Sequence, residues 1–303
     1  MGASILYGTP RADLVVVPHG AVQTSPLVPG ACALEELADE AADSAVVLAP
    51  PGVLERGYVL AQALRALEPG GRLVALAPKD RGGARLRKAL EAFGCAVNEE
   101  ARRHHRICTT TRPPEPAGLA EAIAAGGPQV PPALGLWSQP GVFSWDRPDP
   151  GSALLMEHLP PLAGRGADLG CGVGVLALKA LASQAVEGLM LVDIDRRAVE
   201  AARRNVPDSR AAFAWADVRR TEALPDESLD FVVTNPPFHH GGAEDRDLGA
   251  AFIAAAAKAL KRGGRLWLVA NRHLPYEAPL AEAFAAVKLL GEGGGFKVHE
   301  ARR

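Results

Sequence analysis

One stretch constrains this chain more than any other: Phe231-Val232-Val233-Thr234-Asn235-Pro236-Pro237-Phe238. Four apolar or β-prone residues make a buried strand, and two prolines end it, because proline has no N–H for a ladder and fixes its own φ. The residue before a proline is pushed to extended backbone. Asn235 is therefore expected at the carboxyl end of a strand with its amide aimed outward, at the edge where open α/β sheets bind ligands. The Asn235 side-chain oxygen beside the Pro236 carbonyl makes a cluster of hydrogen-bond acceptors. Phe238 adds an apolar face for stacking. Such a cluster suits a planar group bearing an NH2, either a nucleobase amine or a side-chain amide.

A second signature lies upstream at Ala167-Asp168-Leu169-Gly170-Cys171-Gly172-Val173-Gly174, where a short strand ends in a glycine-rich turn and opens a helix over 175–183. The glycines let backbone approach a ligand closely, as in dinucleotide folds. An acid before the first glycine repels a pyrophosphate but suits a cationic amino-acid tail, which favours S-adenosylmethionine over a nicotinamide cofactor. The next strand ends at Asp193, 23 residues past Gly170, placed to accept from ribose hydroxyls. The strand after that ends at Asp217, placed to accept from the adenine amine. Cys171 reads as a small filler within the loop, Asp195 as a helix N-terminal acid, and Arg196-Arg197 with Arg203-Arg204 as a solvated helix face.

With these motifs in place, the chain resembles the class I amino-methyltransferases. Pro140–Ser144, the Asp149-x-Gly151-Ser152 element, His239, the run Val269–Tyr276 and Phe296-Lys297-Val298 narrow the resemblance to ribosomal RNA guanine-N2 methyltransferases of the RsmC/RlmG type. The resemblance implies an α/β fold of tandem Rossmann-like methyltransferase domains, the N-terminal one degenerate. It implies S-adenosylmethionine as cofactor, held by Asp168, Gly170, Gly172, Gly174, Asp193, Asp217 and Asn235. Catalysis then falls to Asn235, Pro236 and Phe238, with Phe143, Pro237, Phe238, His239 and Lys297 on the substrate side. The implied partner is ribosomal RNA or a ribosomal subunit, most simply 16S rRNA. The same Asn-Pro-Pro-aromatic motif also serves 23S guanine-N2, adenine-N6 and protein glutamine-N5 transfer, and a non-catalytic RNA-assembly factor is a further alternative.

The chain carries an internal echo. Ala63–Leu73 matches Ala256–Leu266 through a shared helix-Gly-Gly-strand pattern, and Val46–Gly52 lies against Val232–Phe238, shifted one place in its strand. In that alignment Ala49 replaces the asparagine and Gly52 the phenylalanine. Only 48 residues precede Ala49, too few for a full cofactor-binding half. The expected organisation is a degenerate domain over 1–110 for RNA recognition or support, a Pro/Gly-rich linker over 111–136, and a catalytic domain over 137–303. Within the first domain, 13–18, 45–49, 72–77 and 105–110 read as strands, and 33–42, 54–67 and 84–93 as helices. The closing 287–300 reads as a hairpin of two edge strands.

Composition adds limits. With 48% hydrophobic and 22% charged residues over 303, the chain is expected to be a globular cytoplasmic protein without a membrane span. Cys32, Cys95, Cys108 and Cys171 form no CxxC pair, so neither a structural metal nor a disulfide framework is expected. Net charge is −2, yet residues 72–112 hold ten Arg/Lys against four acids, a density that contacts phosphates or simply covers a solvated surface.

Overall fold

The computed structural model describes residues 3–220, 224–237, 239–240, 243–244 and 246–303, and the side chains of 239, 240, 243, 244 and 246 are not described. The chain divides into two compact units. Residues 1–128 with 139–141 form the first, and 129–138 with 142–303 the second.

The first unit contains β1 (Ala3–Tyr7), β2 (Val22–Gln23), β3 (Ala42–Leu48), α1 (Val53–Ala66), β4 (Leu67–Pro78), α2 (Leu86–Glu91), β5 (Asn98–Arg102), β6 (His105–Thr111) and α3 (Leu119–Gly126). The strands make one sheet in the order β2-β1-β3-β4-β6-β5. The second unit contains α4 (Pro150–His158), β7 (Gly164–Leu169), α5 (Val175–Leu181), β8 (Val186–Asp193), α6 (Arg196–Asn205), β9 (Ala211–Trp215) and β10 (Leu229–Thr234). It continues with β11 (His239–His240), β12 (Ala243–Glu244), α7 (Arg246–Ala259), β13 (Leu260–Asn271), α8 (Glu277–Ala283), β14 (Ala286–Gly293) and β15 (Phe296–Arg302). Its main sheet runs β14-β15-β13-β10-β7-β8-β9, and β11 pairs with β12 separately.

The six strands of the first sheet follow the order of six of the seven in the second, with β9 as the extra strand. Both sheets are parallel around a central strand (β3 or β10), then turn antiparallel through a C-terminal hairpin. The helix-Gly-Gly-strand echo survives in detail. α1 and α7 each span 14 residues and feed 12-residue strands, β4 and β13, whose burial patterns agree at every position. Gly70 and Gly263 take φ of 80° and 83° at equivalent kinks, where the ladder register shifts in both copies. Register also corrects the expected alignment. Ser44 pairs with Arg72 and Phe231 with Arg265, which puts Leu48, not Ala49, at the place of Asn235. A side-chain acceptor is missing from the first copy either way.

Several expectations fail for identifiable reasons. Residues 13–18 are not a strand: Leu14 and Val15 return their N–H groups to Arg11 in a turn, and Val16 is 87% exposed. Leu14 instead plugs one sheet face beside Val46, Val74, Leu76 and Ile107. Residues 33–41 hold a single 3-10 turn, Leu34–Glu36, in which only Leu34 is buried and which no side chain caps. The short Ala-rich helix expected inside the linker 111–136 is α3. α3 packs on α1, so closely that a Cβ on Gly126 would stand 2.4 Å from the Tyr58 Cβ. β15 is not an edge strand, since β13 and β14 flank it. The basic stretch is partly neutralised locally by Arg87–Glu91, Arg102–Glu100, Arg103–Asp13, Arg106–Glu99 and Arg112–Glu40 pairs.

The second unit buries its sheet on both faces, with α7 and α8 on one and α4 and α5 on the other. Asn205 at the end of α6 stitches the entering chain to the glycine turn. It bonds both backbone groups of Trp137 and the Val173 carbonyl at 2.8–2.9 Å. Among the described residues no helix is long and apolar enough to cross a membrane.

Candidate active site

The site forms where β7, β8 and β10 end together. β7 is the middle strand of the three, and its last residues lead into Gly170, Gly172 and Gly174, at φ of 69°, 52° and 93°. These left-handed conformations fold the turn back on itself, at a steric cost that only glycine escapes. A Cβ on Gly172 would meet nothing within 4 Å, so that glycine lies against open space. One on Gly170 would reach 3.2 Å from Phe252 and 3.9 Å from the Asn235 carbonyl, which places the turn beside the Asn-Pro-Pro segment.

Asp168 is 0% exposed, and among the described residues neither carboxylate oxygen has a hydrogen-bond partner. Burial, then the nearby Asp193 charge, pushes its carboxyl up to about 8, and the Ala177 N–H, which lies towards it without making a hydrogen bond, acts the other way. A buried acid without a partner is costly unless it is neutral or faces a cation. Asp193 at the end of β8 accepts from Gly172 N at 2.8 Å and Asp195 N at 2.9 Å, tying the turn to the next strand. Burial raises it to about 6, against those backbone donors. Asp195 caps α6 as expected, but it also pairs with a buried Arg197, so that arginine does not belong to a solvated face. Cys171 is buried and its thiol is pushed well up by burial, which leaves it without nucleophilic character.

On β10, Thr234 is fully buried and its Oγ1 donates to the Leu169 carbonyl at 2.7 Å, locking the ends of the two strands together. Asn235 follows. Its Nδ2 donates to Asp149 Oδ2 at 2.8 Å and to Ser152 Oγ at 2.9 Å. Its Oδ1 is buried and, among the described residues, accepts no hydrogen bond. Pro236 is buried, Pro237 exposed, and Phe238 lies outside the described residues. His239 pairs through its backbone with Glu244 across the β11–β12 ladder. Phe143 is 60% exposed.

Two expected roles meet competition. Lys297, assigned to the substrate side, is buried in β15 with its ammonium paired to Glu277, so it is not free to reach a phosphate. Both Asp217 oxygens accept from Arg219, which holds that carboxyl below its ordinary value and occupies the acceptor meant for an adenine amine. The partners of Asn235 were not assigned a role from sequence. Their signal was present, because Asp149-Pro150-x-Ser152 is a helix start with an N-cap acid and proline at the first helical position.

The glycine cradle with open space before it, and an orphaned buried acid able to face a cationic tail, fit S-adenosylmethionine. Together with the parallel sheet and its antiparallel hairpin, they define a class I S-adenosylmethionine-dependent methyltransferase. Residues 133–300 match the Methyltransferase small domain family. Over 99% of its length the chain is 33% identical to Ribosomal RNA small subunit methyltransferase C of Pseudomonas paraeruginosa, covering 94% of that protein. It is 31% identical to the Shewanella amazonensis protein of the same name, with 86% of this chain and 77% of the relative covered. The structure of the T. thermophilus 16S rRNA N2 G1207 methyltransferase (RsmC), in complex with AdoMet and guanosine, matches with a TM-score of 0.79 at 28% identity. That match covers 100% of this chain and 88% of that one. The chain belongs to the ribosomal RNA small subunit methyltransferase C family.

Proposed function

We propose that this chain transfers the methyl group of S-adenosylmethionine to the exocyclic N2 of a guanine in 16S rRNA, acting in the cytoplasm on the small subunit or its RNA. The observation that carries the reading is Asn235 Oδ1, a buried acceptor without a partner among the described residues, placed at the end of β10 beside the glycine turn. The pairing of AdoMet with guanosine in the T. thermophilus relative supports guanine as the base.

The guanine amine is a poor nucleophile because its lone pair is delocalised into the ring. Asn235 Oδ1 and the Pro236 carbonyl each accept one of its N–H groups, which holds the nitrogen and draws it towards a tetrahedral shape. Such positioning lowers a barrier by several kcal/mol. When bound, S-adenosylmethionine would supply an electrophilic methyl on a sulfonium: the amine nitrogen gains the methyl as the sulfur–methyl bond breaks, the sulfur leaves as a neutral thioether, and one proton passes from nitrogen to water. Asp168, Gly170, Gly172, Gly174 and Asp193 hold that cofactor. Phe143, Pro237 and Phe238 are assigned to the substrate side as apolar groups for a base extruded from its stack, with His239 beside Phe238 in sequence. The first unit contributes to RNA recognition, offering Arg72, Lys79, Arg81, Arg85 and Lys88 to phosphates.

The test is transfer of labelled methyl to small-subunit particles, large-subunit particles and free rRNA, followed by identification of the nucleoside. N2-methylguanosine in 16S rRNA, lowered about a hundredfold or more by Asn235→Ala, is the expected result. N6-methyladenosine, or label only in protein, overturns the choice of substrate.

A further inference from the structure

The reaction needs the oxygen of the Asn235 amide, not its NH2, to face the substrate amine. Turned by a half rotation about its last bond, the side chain presents two donors to two donors, and attraction becomes repulsion. An asparagine has no intrinsic preference between these states, so a neighbour must decide. We infer that Asp149, with Ser152, is the positioning device that fixes the Asn235 amide so that its oxygen, not its NH2, is left for the substrate amine. The inference rests on the amine-methylating function proposed above.

The geometry is one-sided. Asp149 Oδ2 lies 2.8 Å from Asn235 Nδ2, and an ionised carboxylate only accepts. In the turned state Asn235 Oδ1 would take that place and two oxygens would face each other at hydrogen-bond distance. Ser152 Oγ, 2.9 Å from the same nitrogen, takes its second hydrogen and completes the amide's donor capacity. Both amide hydrogens are therefore taken by the protein, and Oδ1 alone is left unused.

Asp149 is itself held from behind. It is the N-cap of α4, and the same Oδ2 accepts from Ser152 N at 2.6 Å. Pro150 presets the first helical φ. Gly151 lets this turn sit flat on β15: a Cβ there would come 2.9 Å from the Phe296 ring and 3.1 Å from Asp149 Oδ2. The cap thus serves α4 and the active site with one oxygen. The pairing spans 86 residues of sequence and joins a helix start to a strand end.

The test is a charge-swap cycle on the full chain with Asp149→Asn, Asn235→Asp and the double variant, using Ser152→Ala as a separate arm. Asp149→Asn keeps shape and capping ability but offers donors as well as acceptors, so the Asn235 amide is no longer directed. Its kcat is expected to fall about tenfold or more, with the cofactor Kd unchanged. Asn235→Asp puts two carboxylates in contact and is expected to be nearly inactive. In the double variant the new amide donates to the new carboxylate, whose other oxygen faces the substrate, and kcat is expected to recover at least tenfold over Asn235→Asp alone. Ser152→Ala is expected to lower kcat by less than Asp149→Asn does.

A second readout needs no substrate. In Asn235→Asp the introduced carboxylate faces that of Asp149, and the contact raises a folded-state carboxyl pKa. This variant should therefore lose stability, relative to wild type, as pH rises above the ordinary carboxylate value of about 4, and the double variant should not. Active wild type with no rescue, or with Asp149→Asn at wild-type kcat, overturns the inference. Inactive wild type with the pH signature intact overturns the proposed function and leaves the positioning role standing.

Discussion

At the scale of single residues, Asp168 is the group whose free state is least comfortable. Its carboxyl sits near 8 in the fold, chiefly through burial, against an ordinary carboxylate value in the unfolded chain. A raised folded pKa gives a contribution present in full below the unfolded value and lost as pH climbs through the folded one. Asp168 therefore weakens the free protein progressively between about pH 4 and about pH 8. Asp168→Asn cannot ionise and escapes that loss. Its Tm relative to wild type is expected to rise across this window, while its affinity for S-adenosylmethionine drops about tenfold or more. Parallel pH profiles in thermal melts would show that Asp168 is not the titrating group. Thr234 acts differently, by fixing where Asn235 begins. Thr234→Val leaves the Leu169 carbonyl without its donor and is expected to cost about 1–2 kcal/mol in denaturant unfolding, with kcat lowered as well.

At the scale of elements, the duplicated helix-Gly-Gly-strand allows a paired experiment. Gly70 and Gly263 have nearly the same φ, and a Cβ added at either would meet nothing within 4 Å. The cost of alanine at either site is therefore that of left-handed backbone alone, about 1–2 kcal/mol. The two costs are expected to agree, and a clear inequality in unfolding free energies would refute equivalence of the two kinks. Much of this level was legible from residues. The strand over 231–234, the stop at Pro236-Pro237, the glycine turn and the helix before Gly263 all follow from local sterics. Residues 13–18 were not legible, because an apolar run of that length reads as a strand and tertiary packing used it as a plug. Lys297 failed for a related reason. Its charge suggests surface, but Glu277 pairs with it from α8, a neighbour the local sequence does not specify.

At the scale of the whole molecule, the two units share a sheet plan and differ in chemistry. Register sets Leu6 of β1 where β7 has Asp168, as both lie one residue before the last ladder position shared with the central strand. The first copy runs from β1 to β2 without a helix, whereas β7 leads through α5 to β8. Without the buried acid and the helix-opening glycine turn, the first unit has no cradle for the cofactor. A calorimetric titration is expected to saturate at a single S-adenosylmethionine per chain, and disruption of the second unit's glycine turn should abolish all binding. A residual site after that disruption would assign cofactor binding to the first unit.

The sequence by itself determined the backbone of the site: a strand that must end at Asn235, a turn only glycine can make, and the methyltransferase class these define. Such features depend on sterics between adjacent residues, and those are written in order along the chain. Tertiary structure alone decided which way the Asn235 amide faces, that Asp168 is sealed without a partner among the described residues, and that Leu48 rather than Ala49 takes the asparagine's place. Each depends on a contact or a ladder register between segments far apart in sequence. The hydrogen-bond partner or apolar surface that wins there is set by packing of the whole unit.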